Sequence, residues 1–209
     1  MYELVIFDFD GTLVDSNEIK KNAFLDIASR DIHGKKLMNE ILTHSNKDRN
    51  GIWKEYVKKR DLKNNQMSCA TKLISEYSSV VNELVINAKE INGAIDLLTS
   101  LVLKKKYIVL SSATPSSDLS YIINKKGWGR FFDKVIGGPE SKISRVKKIK
   151  NLFNVQYENI AIIGDGKDDK ESADYFSCDF FQVGKNERFS KTEKIFSLIE
   201  LQYLLNNDY

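Results

Sequence analysis

The run Phe7-Asp8-Phe9-Asp10-Gly11-Thr12 sets two carboxylates two residues apart, directly after a short apolar stretch, Leu4-Val5-Ile6-Phe7. On an extended chain, residues i and i+2 project to the same side. Asp8 and Asp10 would then share one strongly negative pocket, which is unfavourable without a cation. Magnesium is the natural partner, because it takes hard oxygen ligands and keeps waters that a phosphate can replace. A carboxylate beside such an ion can attack phosphorus and form an aspartyl-phosphate. Its neighbour can protonate the leaving oxygen and later activate water. Gly11 permits a tight turn just past the strand. Thr12 offers a hydroxyl and a backbone group there, and is a candidate substrate contact. For a lone DxD pair the alternative is an Asp-rich turn.

Three further clusters follow along the chain. Ser111-Ser112-Ala113-Thr114-Pro115 comes after Tyr107-Ile108-Val109-Leu110. A hydroxyl at a strand end can bond a transferring phosphoryl oxygen; the competing role is a helix N-cap. Gly137-Gly138-Pro139-Glu140-Ser141-Lys142 leads into a helical pattern. Gly164-Asp165-Gly166-Lys167-Asp168-Asp169 comes after Ile160-Ala161-Ile162-Ile163. A calcium loop is the alternative for this last run, but the EF-hand ligand spacing and its closing Glu are missing. Asp168 is read as a solvated loop residue.

The elements that must position these residues can be read from hydrophobic patterning. The three apolar runs have the continuous aliphatic character of strands buried on both faces. Val135-Ile136 and Phe180-Phe181-Gln182-Val183 are further strand candidates. Ala94 to Leu103 and Ile143 to Phe153 carry apolar residues at helical spacing. Alternating strands and helices predict an α/β fold, a doubly wound parallel sheet. Ligands of such sheets bind at the carboxyl ends of the strands, where the polar clusters fall. Residues 16–91 differ. Their apolar residues recur at helical spacing, which predicts a mainly helical insert after the first strand, with turns at His33-Gly34 and Asn64-Asn65. The expected division is a core of 1–15 and 92–209 with an insert of 16–91. The tail from Glu193 to Leu205 reads as a final amphipathic helix.

The string Asp8 to Ser16, DFDGTLVDS, resembles the nucleophile motif of the haloacid dehalogenase superfamily. The later clusters follow in that family's order, so the resemblance covers about two thirds of the chain, everything outside the insert. It implies a Rossmann-like core in which Asp8 is the nucleophile and Asp10 the general acid/base. Magnesium is held by the Asp8 carboxylate, the Asp10 backbone carbonyl and Asp165, with Asp169 as a ligand or a partner of the metal's waters. The family carries a Ser or Thr where Ser111 stands directly after the apolar run, with Ser112 the close second. Its lysine maps to Lys142, and its helical cap to 16–91, with Asp15-Ser16 at the hinge. The implied activity is a phosphatase acting on a small phosphorylated metabolite. Asp10 argues against dehalogenase chemistry, which lacks the second acid. β-Phosphoglucomutases place a His early in the cap, and Lys20 stands there instead; phosphomutase is the rival, and a catalytically idle binding member the other. Lys20 is a candidate substrate contact, and Lys20 or Lys21 keeps a Schiff-base phosphonatase in view. Arg49 and Lys54 are weaker candidates for a distal anionic group, while Trp53, Tyr56, His33 and His44 read as core or surface.

Composition bounds the rest. The 209 residues are 42% hydrophobic and 29% charged, with net charge +3, and can form one sizeable core or a core with an insert. Lysines come in short scattered runs, such as Lys104-Lys105-Lys106, so no nucleic-acid partner is expected. Cys69 and Cys178 form no CxxC pair, and free thiols are expected. The first apolar run is too short for a signal peptide and no stretch reaches a membrane span. A cytoplasmic protein, monomer or homodimer, is the expectation.

Overall fold

Leu4–Phe7 forms strand β1, and none of its four side chains reaches solvent. Four helices follow: α1 (Asn17–Ala28), α2 (Gly34–His44), α3 (Arg49–Lys59) and α4 (Gln66–Ile86). The chain then alternates through α5 (Ala94–Leu103), β2 (Tyr107–Pro115), α6 (Ser116–Lys125), β3 (Lys134–Gly138), α7 (Lys142–Phe153), β4 (Ile160–Gly164), α8 (Lys167–Phe176) and β5 (Asp179–Val183). It ends in β6 (Ile195–Phe196) and α9 (Leu198–Asn206). These elements come from a computed structural model that describes residues 1–45, 47–60, 66–184 and 194–206, with only the backbone for 66–68. The expected turn at Asn64-Asn65 lies outside the described residues.

Two compact units emerge, one made of Met1–Ser16 with Ala88–Tyr209 and the other of Asn17–Asn87. The first holds a six-stranded sheet in the order β3-β2-β1-β4-β5-β6, with every pairing parallel. This is the doubly wound α/β fold expected from the patterning. Strand order reverses at β1, so the crevice outside the carboxyl ends of β1 and β4 is the topological switch point where such sheets bind ligands. The strands are buried because helices cover both faces; Leu4, Ile6, Val146, Ile149, Ile160 and Ile162 pack in one core cluster.

The two crossings between the units are joined at their base within the sheet-bearing unit. Asp15 N donates to the Lys89 carbonyl at 2.9 Å, Ile91 N donates to the Leu13 carbonyl at 2.9 Å, and Val14 bridges Glu90 in antiparallel sense. Outgoing and returning chain thus form a short paired neck.

The helical unit has an aromatic interior. Phe24 stacks on Tyr77 at 4.0 Å between centroids, and Trp53 packs against both. Trp53 and Tyr56 are buried there, which places them in the core of that unit. His33 takes a left-handed conformation before α2, and His44 lies at its C-terminal end with Nδ1 at 2.9 Å from the Glu40 carbonyl.

Two strand and helix limits differ from expectation. β2 continues five residues past Val109-Leu110, from Ser111 through Pro115. The tail pattern splits into β6 and α9, because Ile195-Phe196 pairs with Gln182-Val183 before the helix begins; Glu193 lies outside the described residues. Among the described residues no helix is long and apolar enough to cross a membrane.

Cys178 belongs to the core cluster, and burial together with Asp179 pushes its thiol up to about 11. At pH 8 only about one such thiol in a thousand is ionised, and the thiolate is the reactive form. Ellman's reagent is therefore expected to titrate the half-buried Cys69 first and Cys178 only after denaturant is added. Two thiols reacting together in the native protein would contradict this placement.

Candidate active site

The carboxyl end of β1 delivers Asp8, whose N–H still continues the ladder to the Ile163 carbonyl at 2.8 Å. The chain then turns sharply. Leu13 N and Val14 N both donate to the Phe9 carbonyl, and Gly11 sits at φ 77°, a conformation that an L side chain disfavours. Phe9 points away from the two aspartates into the core, edge-on to Trp128.

β4, the other strand of the switch point, delivers Asp165, and α8 begins immediately after it. Asp169 lies in the first turn of α8 and its Oδ2 accepts from Gly166 N at 3.1 Å, which caps the helix. Gly164 must be glycine here: a Cβ would stand 2.3 Å from the Asp169 carboxylate. One ligand oxygen from each of Asp8, Asp165 and Asp169 lies within 4.8 Å of the other two. Oxygens around one octahedral magnesium stand about 3 to 4 Å apart, so a small contraction would fit the set to that ion.

α7 starts at Ser141, whose hydroxyl accepts from Ser144 N at 3.2 Å as an N-cap. This places Lys142 at the first helical position, pointing into the acid cluster. Its Nζ donates to Asp8 Oδ1 at 2.9 Å and to the Ser111 carbonyl at 2.6 Å, and lies 2.5 Å from Asp169 Oδ1. Both Lys142 and Asp169 are almost wholly buried. Burial works to lower the Lys142 pKa, but Asp169 and Asp8 overcome it and hold the ammonium above its ordinary value. Burial raises the pKa of Asp8 and of Asp169, with Lys142 pulling each down. Carboxylates crowded in this way, with one ammonium among them, form a site that a divalent cation would stabilise in its ionised form.

Asp10 faces a ring of hydroxyls. Ser16 Oγ donates to Oδ1 at 2.6 Å; Thr114 Oγ1 and Ser112 Oγ donate to Oδ2 at 3.1 and 3.3 Å. Residues i and i+2 of a strand share a face, which explains why Ser112 and Thr114 reach the same oxygen. Ser111 has the opposite parity. Its hydroxyl accepts from Arg145 Nε on α7 at 3.0 Å. The serine that faces the aspartates is therefore Ser112, whereas the sequence favoured Ser111 by ending the strand at Leu110. Thr12 is fully buried, and its Oγ1 has no hydrogen-bond partner among the described residues.

Asp8, Asp10, Ser112, Lys142, Asp165 and Asp169 are thus gathered at one end of the sheet. Thr114, Ser16 and Arg145 join them without having been singled out for chemistry. Lys20 lies on α1 in the helical unit. There its carbonyl accepts from Tyr77 Oη at 3.2 Å, and Arg49 lies 5.6 Å from the centre of the same ring while donating to Ser78 Oγ at 3.0 Å.

Comparison with known proteins agrees with this architecture. The chain superposes on a predicted phosphoglycolate phosphatase from Haemophilus somnus with TM-score 0.78 and 17% identity, covering 98% of each chain. It superposes on a provisionally assigned β-phosphoglucomutase from Thermotoga maritima with TM-score 0.75 and 18% identity, covering 97% of this chain and 98% of that one. A third similar structure is CbbY from Rhodobacter sphaeroides in complex with phosphate, with TM-score 0.73, 15% identity and 96% of each chain covered. At such identities these likenesses establish the fold. No curated protein matches. A family match extends over residues 5–183, from β1 through β5, to the sequences described as haloacid dehalogenase-like hydrolase. The chain belongs to the haloacid dehalogenase-like hydrolase family.

Proposed function

We propose that this protein is a magnesium-dependent phosphatase that hydrolyses a small phosphomonoester through an aspartyl-phosphate on Asp8. The observation that carries the proposal is the setting of Asp8. Its carboxylate stands at the switch point, paired with Lys142 Nζ at 2.9 Å and within reach of Asp165 and Asp169. An Asp8 oxygen attacks phosphorus as the bond to the leaving oxygen breaks, and Asp10 gives that oxygen its proton. Asp10 then takes a proton from water, whose oxygen attacks phosphorus and releases phosphate and the free Asp8 carboxylate. The hydroxyls of Ser16 and Thr114 orient Asp10 for both transfers, and Ser112 turns its one O–H from Asp10 to the phosphoryl group when substrate binds. Ser112 and Lys142 are the groups placed to meet the transferring oxygens, with the Lys142 charge offsetting theirs. We assign this contact to Ser112 rather than Ser111 on the direction of their hydroxyls.

Asp8, Asp165 and Asp169, with the Asp10 carbonyl, would hold the magnesium. When bound, the ion supplies charge neutralisation for the nucleophile and the phosphoryl group. Thr12 and Lys20 are retained as candidate substrate contacts. The helical unit is proposed as the cap that selects the substrate, with a small phosphorylated metabolite as partner, in a cytoplasmic monomer or homodimer.

The test is turnover of para-nitrophenyl phosphate and a panel of sugar phosphates, nucleotides and phosphoglycolate, with and without magnesium. Absence of turnover across the panel with metal present would leave a binding member instead. Conversion of β-glucose 1-phosphate to the 6-phosphate would establish the mutase, against Lys20 at the place of that enzyme's His. Asp165→Ala is expected to raise the magnesium concentration for half-maximal rate by about 10-fold or more. A magnesium titration identical to wild type would remove Asp165 from the ligand set.

A further inference from the structure

Arg145 is a second buried cation of this site, and the chemistry above makes no use of it. It lies on α7 one turn beyond Lys142, on the same helix face, and is 2% exposed. Nε donates to Ser111 Oγ at 3.0 Å, and Nη1 donates to the Glu140 carbonyl, just ahead of the α7 N-cap. Nη2 is buried without a hydrogen-bond partner among the described residues. A guanidinium is costly to bury, and its fixed planar fork suits a geometric clamp better than a flexible ammonium does.

Lys142 and Arg145 grip the two ends of one residue. Lys142 Nζ takes the Ser111 carbonyl at 2.6 Å, and Arg145 Nε takes the Ser111 hydroxyl at 3.0 Å. Ser111 has its side chain turned away from the aspartates, yet its carbonyl is one of the groups that aim the ammonium at Asp8. Its neighbour Ser112 aims at Asp10. We propose that Arg145 is a positioning residue: by clamping Ser111 to α7 it fixes the carbonyl that holds Lys142 and the strand segment that presents Ser112. The assignment of a kinetic effect rests on the phosphatase reading; the clamp itself does not.

Two measurements separate them. The first is steady-state hydrolysis of para-nitrophenyl phosphate by Arg145→Met, Arg145→Lys, Ser111→Ala and the Arg145→Met/Ser111→Ala double variant. Arg145→Met is expected to lower kcat about 10- to 100-fold with KM within about 3-fold of wild type. Arg145→Lys should recover part of the loss, and the double variant should be no slower than Arg145→Met, since both act through one contact. The second needs no turnover: acetylation of the Lys142 amine by acetic anhydride, followed by peptide mass spectrometry. Lys142 should label slowly in wild type, and about 10-fold faster in Arg145→Met and in Ser111→Ala, with unchanged circular dichroism. If Arg145→Met does not fold, Ser111→Ala and Arg145→Lys carry the test in both measurements. Additive losses in the double variant, or wild-type Lys142 labelling in Ser111→Ala, would overturn the clamp. An inactive wild type would overturn the phosphatase reading alone, and the labelling would still decide the role of Arg145.

Discussion

Asp8→Asn is expected to abolish turnover, by at least about 10³-fold, while leaving the fold intact. The amide is nearly the same size as the carboxylate but cannot attack phosphorus. The neighbours explain why the fold should survive. Lys142 keeps its ion pair with Asp169 at 2.5 Å and its hydrogen bond to the Ser111 carbonyl, so the ammonium is not orphaned. One negative charge is also removed from a crowded group, where burial and the Asp10 carboxylate both disfavour ionised Asp8. Activity on para-nitrophenyl phosphate at saturating magnesium, together with a thermal melt, checks both halves. Retained turnover in a folded variant would sink the nucleophile assignment.

Lys142→Met is the second large effect, and it falls on stability as well as rate. Asp169 and Lys142 are each 1% exposed in their side chains. Removing the ammonium leaves the Asp8 and Asp169 carboxylates without the cation that contacts both of them. Breaking a buried pair from one side costs about 3–5 kcal/mol. Urea unfolding in the presence of chelator should show a loss of that size. Magnesium should return part of it, because an ion that binds only the folded state stabilises by mass action, by about 2.7 kcal/mol at 100 times its dissociation constant. The pH dependence follows from the same carboxylates. A carboxyl raised in the folded state holds its proton longer than in the unfolded chain, so its contribution to stability falls as pH rises through the interval above the ordinary carboxylate range. Without metal, the variant should therefore gain on wild type as the solution is acidified towards that range. A variant as stable as wild type in chelator would show that the pair does not hold the site together.

What could be read in advance depended on how each residue is carried. Asp8 and Asp165 end short, wholly apolar strands, so their places follow from the end of a hydrophobic run. Lys142 follows a helix cap, another local signal. β2 escaped in part because its last residues are buried yet polar: Ser111, Ser112 and Thr114 are each at most 3% exposed. Hydrophobic patterning stops at Leu110, whereas the strand stops at Pro115, and that shift reverses which serine faces the aspartates. The hint was Ser112 and Thr114 at strand spacing before a proline. Nothing in local pattern singles out Arg145, which stands in a basic stretch with Lys147 and Lys148. Only its place one turn from Lys142 sets it apart. From the sequence Ser16 reads as a hinge residue alone, and its bond to Asp10 across the turn has no signature in spacing. In the helical unit, burial within its own aromatic core accounts for Trp53 and Tyr56, and periodicity cannot tell such residues from ones that line a ligand site.

The paired neck at Leu13–Asp15 and Lys89–Ile91 has a consequence for how such a protein can change. Because the two crossings are hydrogen-bonded to each other at their base, the core sees the whole helical unit as a loop whose ends are already closed. Lengthening a closed loop is cheap, about 0.6 kcal/mol for each doubling of a flexible one. Insertions, deletions or exchange of everything beyond the neck should therefore leave the catalytic sheet nearly as stable as before. On the proposal that the helical unit selects the substrate, that choice can diverge quickly among descendants of one ancestor, while the residues gathered at the end of the sheet stay as they are.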